Sequence, residues 1–216
     1  MDESFKLILK ATRFADARHQ GQKRKVSGED YISHPILVSY MAANLKKSKN
    51  IGNIICAAIL HDVVEDTKTS YEELLAEFGM PITTLVFELT SDQKQIEIMG
   101  KTNYLKKKLV GMTTYAFFIK LCDRLCNLMD NPTEKLISDT QEILKYVMTQ
   151  RKLTKSHKAV ITEIDNVIRT AGIRPAIEYK GLSEKMMNNP ETKEALVKFS
   201  GPLIKPPKKN RSNTYC

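Results

Sequence analysis

The stretch Ala57-Ala58-Ile59-Leu60-His61-Asp62-Val63-Val64-Glu65-Asp66-Thr67 sets the strongest limit on what this chain can fold into, because four ionisable residues interrupt an otherwise apolar helical run. Such a run belongs inside a helical core, where charge is costly unless something compensates it. A divalent cation would do so, with neutral imidazoles and carboxylates as ligands and a position left open for water. On a continuous helix His61 lies four residues from Glu65, and Asp62 four from Asp66, so the spacing predicts an acidic pair one turn beyond the His-Asp pair. A buried His-Asp hydrogen bond would explain the dipeptide alone.

Two further segments favour the metal centre. Upstream, Arg24-Lys25-Val26-Ser27-Gly28-Glu29-Asp30-Tyr31-Ile32-Ser33-His34-Pro35 reads as a polar turn that delivers a histidine just before a proline-started helix. Downstream, Lys120-Leu121-Cys122-Asp123-Arg124-Leu125-Cys126-Asn127-Leu128 puts Asp123 and Asn127 four apart on one helical face. Together His34, His61, Asp62 and Asp123 have the composition of a metal site that works on phosphate esters. In these segments, and from about Phe5 to Asp130, the chain resembles the HD-superfamily hydrolase domain of the RelA/SpoT family; in length it is similar to the small alarmone hydrolases.

That resemblance implies an all-α fold, an HD-domain helical bundle with short loops. It implies that His34, His61, Asp62 and Asp123 ligate a metal, usually manganese (Mn2+), with other divalent transition metals as alternatives. Glu65 and Asp66 then orient or deprotonate the attacking water. By the same resemblance Arg24 matches the arginine that packs on the guanine base, Lys25 its nucleotide-contacting neighbour, and Asn127 the asparagine beside the ribose and 3′ phosphate. Tyr31 either walls the pocket or anchors the loop. The implied reaction is hydrolysis of guanosine 3′,5′-polyphosphates, (p)ppGpp, to GDP or GTP and pyrophosphate. Two positions depart from the family pattern: Val26 stands as an extra residue in the usual Arg-Lys-Ser-Gly-Glu string, and Met129 stands where many relatives have arginine. Other substrates fit the same site, notably the 2′ phosphate of NADPH or a dNMP. A regulator that binds nucleotide or a partner without turnover is a rival of another class, against which stands the filling of every catalytic position.

At 216 residues and 42% hydrophobic composition the chain can bury one good core. The expected organisation is an HD hydrolase domain over residues 1–200, with a motif core at about 5–130 and further helices at about 131–200, then a basic, disordered tail over 201–216. Asp2, Glu3 and Lys6 argue against a signal peptide, and no apolar stretch approaches the ~20 residues that span a bilayer, so a soluble cytoplasmic protein is expected. Cys122 and Cys126 share their helix with Leu121, Leu125 and Leu128 and are read as reduced packing cysteines. The formal charge of +9 falls in short clusters without an RNP string, zinc finger or regular basic helix. It fits solvated faces and a field that attracts a polyanionic small molecule better than a nucleic-acid partner; the oligomeric state is left open.

Periodicity predicts helix throughout. The first helix ends near Gly21, the second runs from about Pro35 to Lys47, and the third from about Ile51 to Glu65. Ser70 and Glu73 form a capping box, Gly79 is a stop and Pro81 a restart. Ser91 to Lys101 has no clear period and reads as a mobile loop near the site. Helices then span about Thr102–Met112, Thr114–Asp130, Thr133–Arg151, Ser156–Ala171 and Ser183–Phe199. His19 is expected to cap or hydrogen-bond behind the ligands, and His157 to lie on the surface.

Overall fold

A computed structural model describes residues 2–171, which form ten helices within the unit Met1–Ala176. They are α1 (Glu3–Arg18), α2 (Ser33–Leu45), α3 (Ile51–Leu60), α4 (Val63–Asp66), α5 (Tyr71–Leu89), α6 (Gln93–Met99), α7 (Lys101–Gly111), α8 (Thr114–Asp130), α9 (Glu134–Gln150) and α10 (Lys155–Thr170). Among the described residues the extended pairing is confined to an isolated bridge between Lys23 and Asp30. The expected all-α bundle is therefore found. The expected helix Ser183–Phe199 and the tail 201–216 lie outside the described residues.

Most helices begin where a short polar side chain can take up an orphan amide. Asp2, Ser70, Asp92, Thr113, Thr133 and Thr154 each accept a backbone N–H from the first turn of the helix that follows. Gly79, at φ 73°, breaks α5 into two arms, and Pro81 starts the second. The capping box at Ser70 is only half formed: Ser70 receives the Glu73 amide, but the Glu73 carboxylate turns to Arg18.

Helices α3 and α8 bury residues around most of their circumference, Ile54 and Cys56–Leu60 on one and Ala116–Ile119, Leu121–Asp123, Leu125, Cys126 and Leu128 on the other. A helix apolar on nearly every side must be surrounded. Accordingly α3 packs against α1, α2, α5 and α8, while α8 packs also against α2, α5 and α10. Cys56, Cys122 and Cys126 are free and buried, as expected of packing cysteines. Among the described residues no helix is long and apolar enough to cross a membrane.

The structure corrects three further expectations. Ser91 to Lys101 is not a loop: Asp92 caps the short helix α6, whose residues all remain accessible, which explains why it carries no apolar period. The third helix does not run to Glu65 but stops at Leu60, with a turn at His61-Asp62 before α4. His157 is not a surface residue. It is fully buried, its amide and ring complete a capping box with Thr154, and its Nε2 donates to the Thr114 carbonyl at 2.9 Å. Flanking lysines suggested exposure, but the ring points inward onto Phe117 at a centroid distance of 4.8 Å.

Burial, with help from Arg151 and Lys46, pushes the His157 imidazole below its ordinary range, although the Thr114 carbonyl opposes the shift. The folded state holds this ring neutral while the unfolded chain protonates at about 6.5. Its contribution to stability is therefore complete above that value and is lost as pH falls through the lower, folded-state value. Urea denaturation from pH 7.5 to 5 should show declining stability, with a shallower decline in His157→Gln. Equal slopes would remove His157 as the cause.

Candidate metal centre

Four side chains from three parts of the chain converge where α2, the α3–α4 turn and α8 meet. His34 lies in the first turn of α2, His61 and Asp62 form the turn, and Asp123 lies midway along α8; the two histidines and Asp123 are buried. His34 Nε2 stands 3.2 Å from Asp123 Oδ1 and 3.8 Å from Asp62 Oδ2. His61 Nε2 stands 2.9 Å from Asp62 Oδ2 and 3.8 Å from Asp123 Oδ1. Donor atoms of His34, His61 and Asp123 all lie within 4.8 Å of one another.

The broken helix makes this possible. Neighbouring side chains on a continuous helix diverge by about 100°, whereas Asp62 adopts φ −104°, ψ −5°, and its carboxylate swings toward the His61 ring. The same turn fixes the ring. His61 Nδ1 is 2.8 Å from the Ala58 carbonyl, which can only accept, so Nδ1 carries a hydrogen and Nε2 is the nitrogen turned to the site. That Nε2 is buried without a hydrogen-bond partner, facing two carboxylates. Two carboxylates set against this nitrogen call for a positive charge between them, which a proton or a metal cation can supply.

Titration behaviour agrees. Burial alone would lower the His61 imidazole, yet Asp62 and Asp123 overcome it and push the group up to about 10. Burial would raise the Asp62 carboxyl, but His61 holds it below its ordinary range; Asp123 is likewise held low against burial by Lys120, His34 and His61. A divalent ion would occupy the place that a proton fills on His61. The donor set of two imidazole nitrogens and two carboxylates fits such an ion.

Around this cluster the other expected residues take distinct places. The Tyr31 hydroxyl lies 2.7 Å from Asp62 Oδ2 and 3.0 Å from Asp66 Oδ2, and its single hydrogen can serve one of them at a time. Burial, then Asp62, raises the Asp66 carboxyl. Glu65 extends away, accepting from the Ser91 amide at 2.8 Å and from Gln93 Nε2 at 3.5 Å. Asn127 Nδ2 donates to Asp123 Oδ1 at 2.6 Å. Arg24 donates to Asp130 at 2.8 Å and to Asn127 Oδ1 at 3.3 Å, with its guanidinium 5.9 Å from the Tyr31 ring centroid. Lys25 is exposed on the adjoining turn. Val26, 58% exposed, sits at the tip of that turn, so an extra residue there is absorbed on the solvent side. Met129 is also exposed.

His19 stands outside the ligand group. Its Nδ1 pairs with Gln22 Oε1 at 2.9 Å, its ring lies 4.7 Å from that of Tyr31, and Gln22 Nε2 donates to the Asp66 carbonyl at 2.8 Å. The ring thus lies behind the cluster, joined to it through Gln22 and Tyr31. Sequence reasoning passed over Lys120, whose Nζ lies 2.9 Å from Asp123 Oδ2. The available signal was a lone lysine between Ile119 and Leu121 in a largely apolar stretch, three residues before Asp123.

Comparison with known proteins adds the family. A family model described as HD domain matches residues 11–146. A guanosine-3′,5′-bis(diphosphate) 3′-pyrophosphohydrolase from Spiroplasma citri is 31% identical over 175 residues, covering 77% of this chain but only 23% of that longer protein. The enzyme of that description called MESH1 from Xenopus tropicalis is 34% identical over 131 residues, covering 60% of this chain and 72% of the relative. The solved structure of a metazoan ortholog of SpoT, described as hydrolysing ppGpp, superposes with a TM-score of 0.65 over 78% of this chain and 97% of its own; at 24% identity that likeness establishes the fold.

Proposed function

Because the chain belongs to the HD-domain family of hydrolases that includes the guanosine-3′,5′-bis(diphosphate) 3′-pyrophosphohydrolases, we propose that it is a metal-dependent hydrolase of (p)ppGpp acting in the cytoplasm. The observation that carries this reading is the buried, unpartnered His61 Nε2 facing two carboxylates beside His34. His34, His61, Asp62 and Asp123 would hold the ion, and imidazole donors favour manganese, iron, cobalt or zinc over magnesium. A bound ion supplies Lewis acidity to a phosphoryl oxygen and to the attacking water.

The chain's own residues supply the rest. Asp66 takes the proton of the water, with Glu65 adding negative charge from its place beside Ser91, and the water oxygen bonds to the proximal phosphorus of the 3′ pyrophosphate. The bond from that phosphorus to the ribose 3′ oxygen breaks, and the 3′ oxygen gains a proton. GDP or GTP and pyrophosphate leave. Tyr31, hydrogen-bonded at both Asp62 and Asp66, keeps the base beside the ligands. Arg24 stacks on guanine with its guanidinium held flat by Asp130 and Asn127, Lys25 contacts the nucleotide, and Asn127 reaches the ribose side.

Purified protein stripped of metal should release pyrophosphate from ppGpp only after a divalent transition metal such as manganese is restored. No release, with turnover of NADPH or a dNMP instead, would move the substrate; binding without turnover of any of them would make the chain a regulator. Arg24→Lys keeps the charge but removes the planar stacking surface, so substrate binding should weaken by about 1 kcal/mol. If Arg24→Lys and Arg24→Ala both retain the parent kcat/KM, guanine is not read by Arg24.

A further inference from the structure

Lys120 sits in the middle of α8 with its side chain 16% exposed, flanked by buried Ile119 and Leu121. An ammonium in such a place needs a partner, and it has one oxygen of one carboxylate: Asp123 Oδ2, at 2.9 Å. The other oxygen, Oδ1, faces His34 and His61 and accepts from Asn127 Nδ2. The carboxylate is thus divided, with Oδ2 neutralised by a fixed charge and Oδ1 turned to the histidines. Asp62 and Glu65 also lie within the field of this lysine.

Resting on the metal-centre reading above, we propose that Lys120 is a positioning residue that restricts Asp123 to a single cation-facing oxygen, Oδ1, and so keeps a coordination position free for water or a phosphoryl oxygen. A carboxylate left to itself binds a cation through one oxygen or two. With both Asp123 oxygens available, the four protein residues would close further around the ion. Lys120 prevents this by engaging Oδ2, and does so although an ammonium beside a divalent ion is electrostatically unfavourable. A strut that merely held the site together would raise cation affinity. This lysine should lower it.

The experiment uses the full chain loaded with Co2+, whose visible spectrum reports coordination number independently of turnover. Lys120→Met should bind Co2+ more tightly than the parent, and absorb less intensely as the coordination number rises. Its kcat on ppGpp should fall ~10²-fold, the scale of losing one preorganised charge, with KM largely unchanged. An unaltered spectrum and affinity would overturn the proposal, as would loss of cation affinity together with a lower melting temperature. Should Lys120→Met not fold, Lys120→Arg decides. The guanidinium fork engages both carboxylate oxygens, so Co2+ affinity should fall while the melting temperature holds, and normal Co2+ binding with full turnover would reject the role. Failure of the parent protein to turn over ppGpp would sink the substrate assignment while leaving the Co2+ results to judge Lys120.

Discussion

His61→Ala and Asp62→Ala should each abolish cation binding and turnover together. His61 offers a buried Nε2 with no partner of its own, and Asp62 Oδ2 is the nearer of the two carboxylate oxygens facing it, at 2.9 Å. Removing either leaves the remaining donors too few to hold an ion from a site already open to water. Linkage provides a readout without substrate. At free Mn2+ a hundredfold above Kd, binding stabilises the parent by about 2.7 kcal/mol, or roughly 5–10 °C in Tm for a chain of this size. Both variants should lose that shift. Full metal stoichiometry with undiminished activity in either one would overturn the ligand assignment.

The double variant Glu65→Gln, Asp66→Asn should slow single-turnover chemistry by ~10²-fold or more and leave equilibrium binding of ppGpp nearly intact. Both substitutions are isosteric, which separates chemistry from architecture. Each new carboxamide keeps a carbonyl oxygen, one to accept from the Ser91 amide and the other from the Tyr31 hydroxyl, so the tethers seen at 2.8 Å and 3.0 Å can persist. What disappears is the ability to accept a proton. Asp66 is the stronger contributor on this reasoning, since Tyr31 ties it directly to Asp62 and burial already raises its carboxyl. Single-turnover rates unchanged in the double variant would reduce both acids to exposed charges at the end of α4.

Much of this molecule was legible as local pattern. Capping residues and apolar spacing located α8 at Thr114–Asp130 and α5's break at Gly79, because helix ends are decided by nearby hydrogen bonds and by backbone freedom at glycine. Charges within the apolar run around His61 called for a counter-ion, because burial of ionised groups is costly wherever the chain goes. Orientation was a different matter. Periodicity assumes an unbroken helix, so it could not foresee the turn that brings the adjacent His61 and Asp62 to 2.9 Å, nor Glu65 reaching away to Ser91. His157 was hidden by its flanking lysines, and Lys120 was overlooked although its spacing to Asp123 was available. His157 looks like a surface residue among lysines but is placed by the packing of α10 against the start of α8, whereas Lys120 stands out as a charge in an apolar run whose partner, Asp123, lies three residues on in the same helix. Sequence by itself determined which groups must be compensated. Tertiary packing decided which atom compensates which, because hydrogen bonds and ion pairs act over about 3 Å and only the folded chain sets distances that short between residues as far apart as His34, His61 and Asp123.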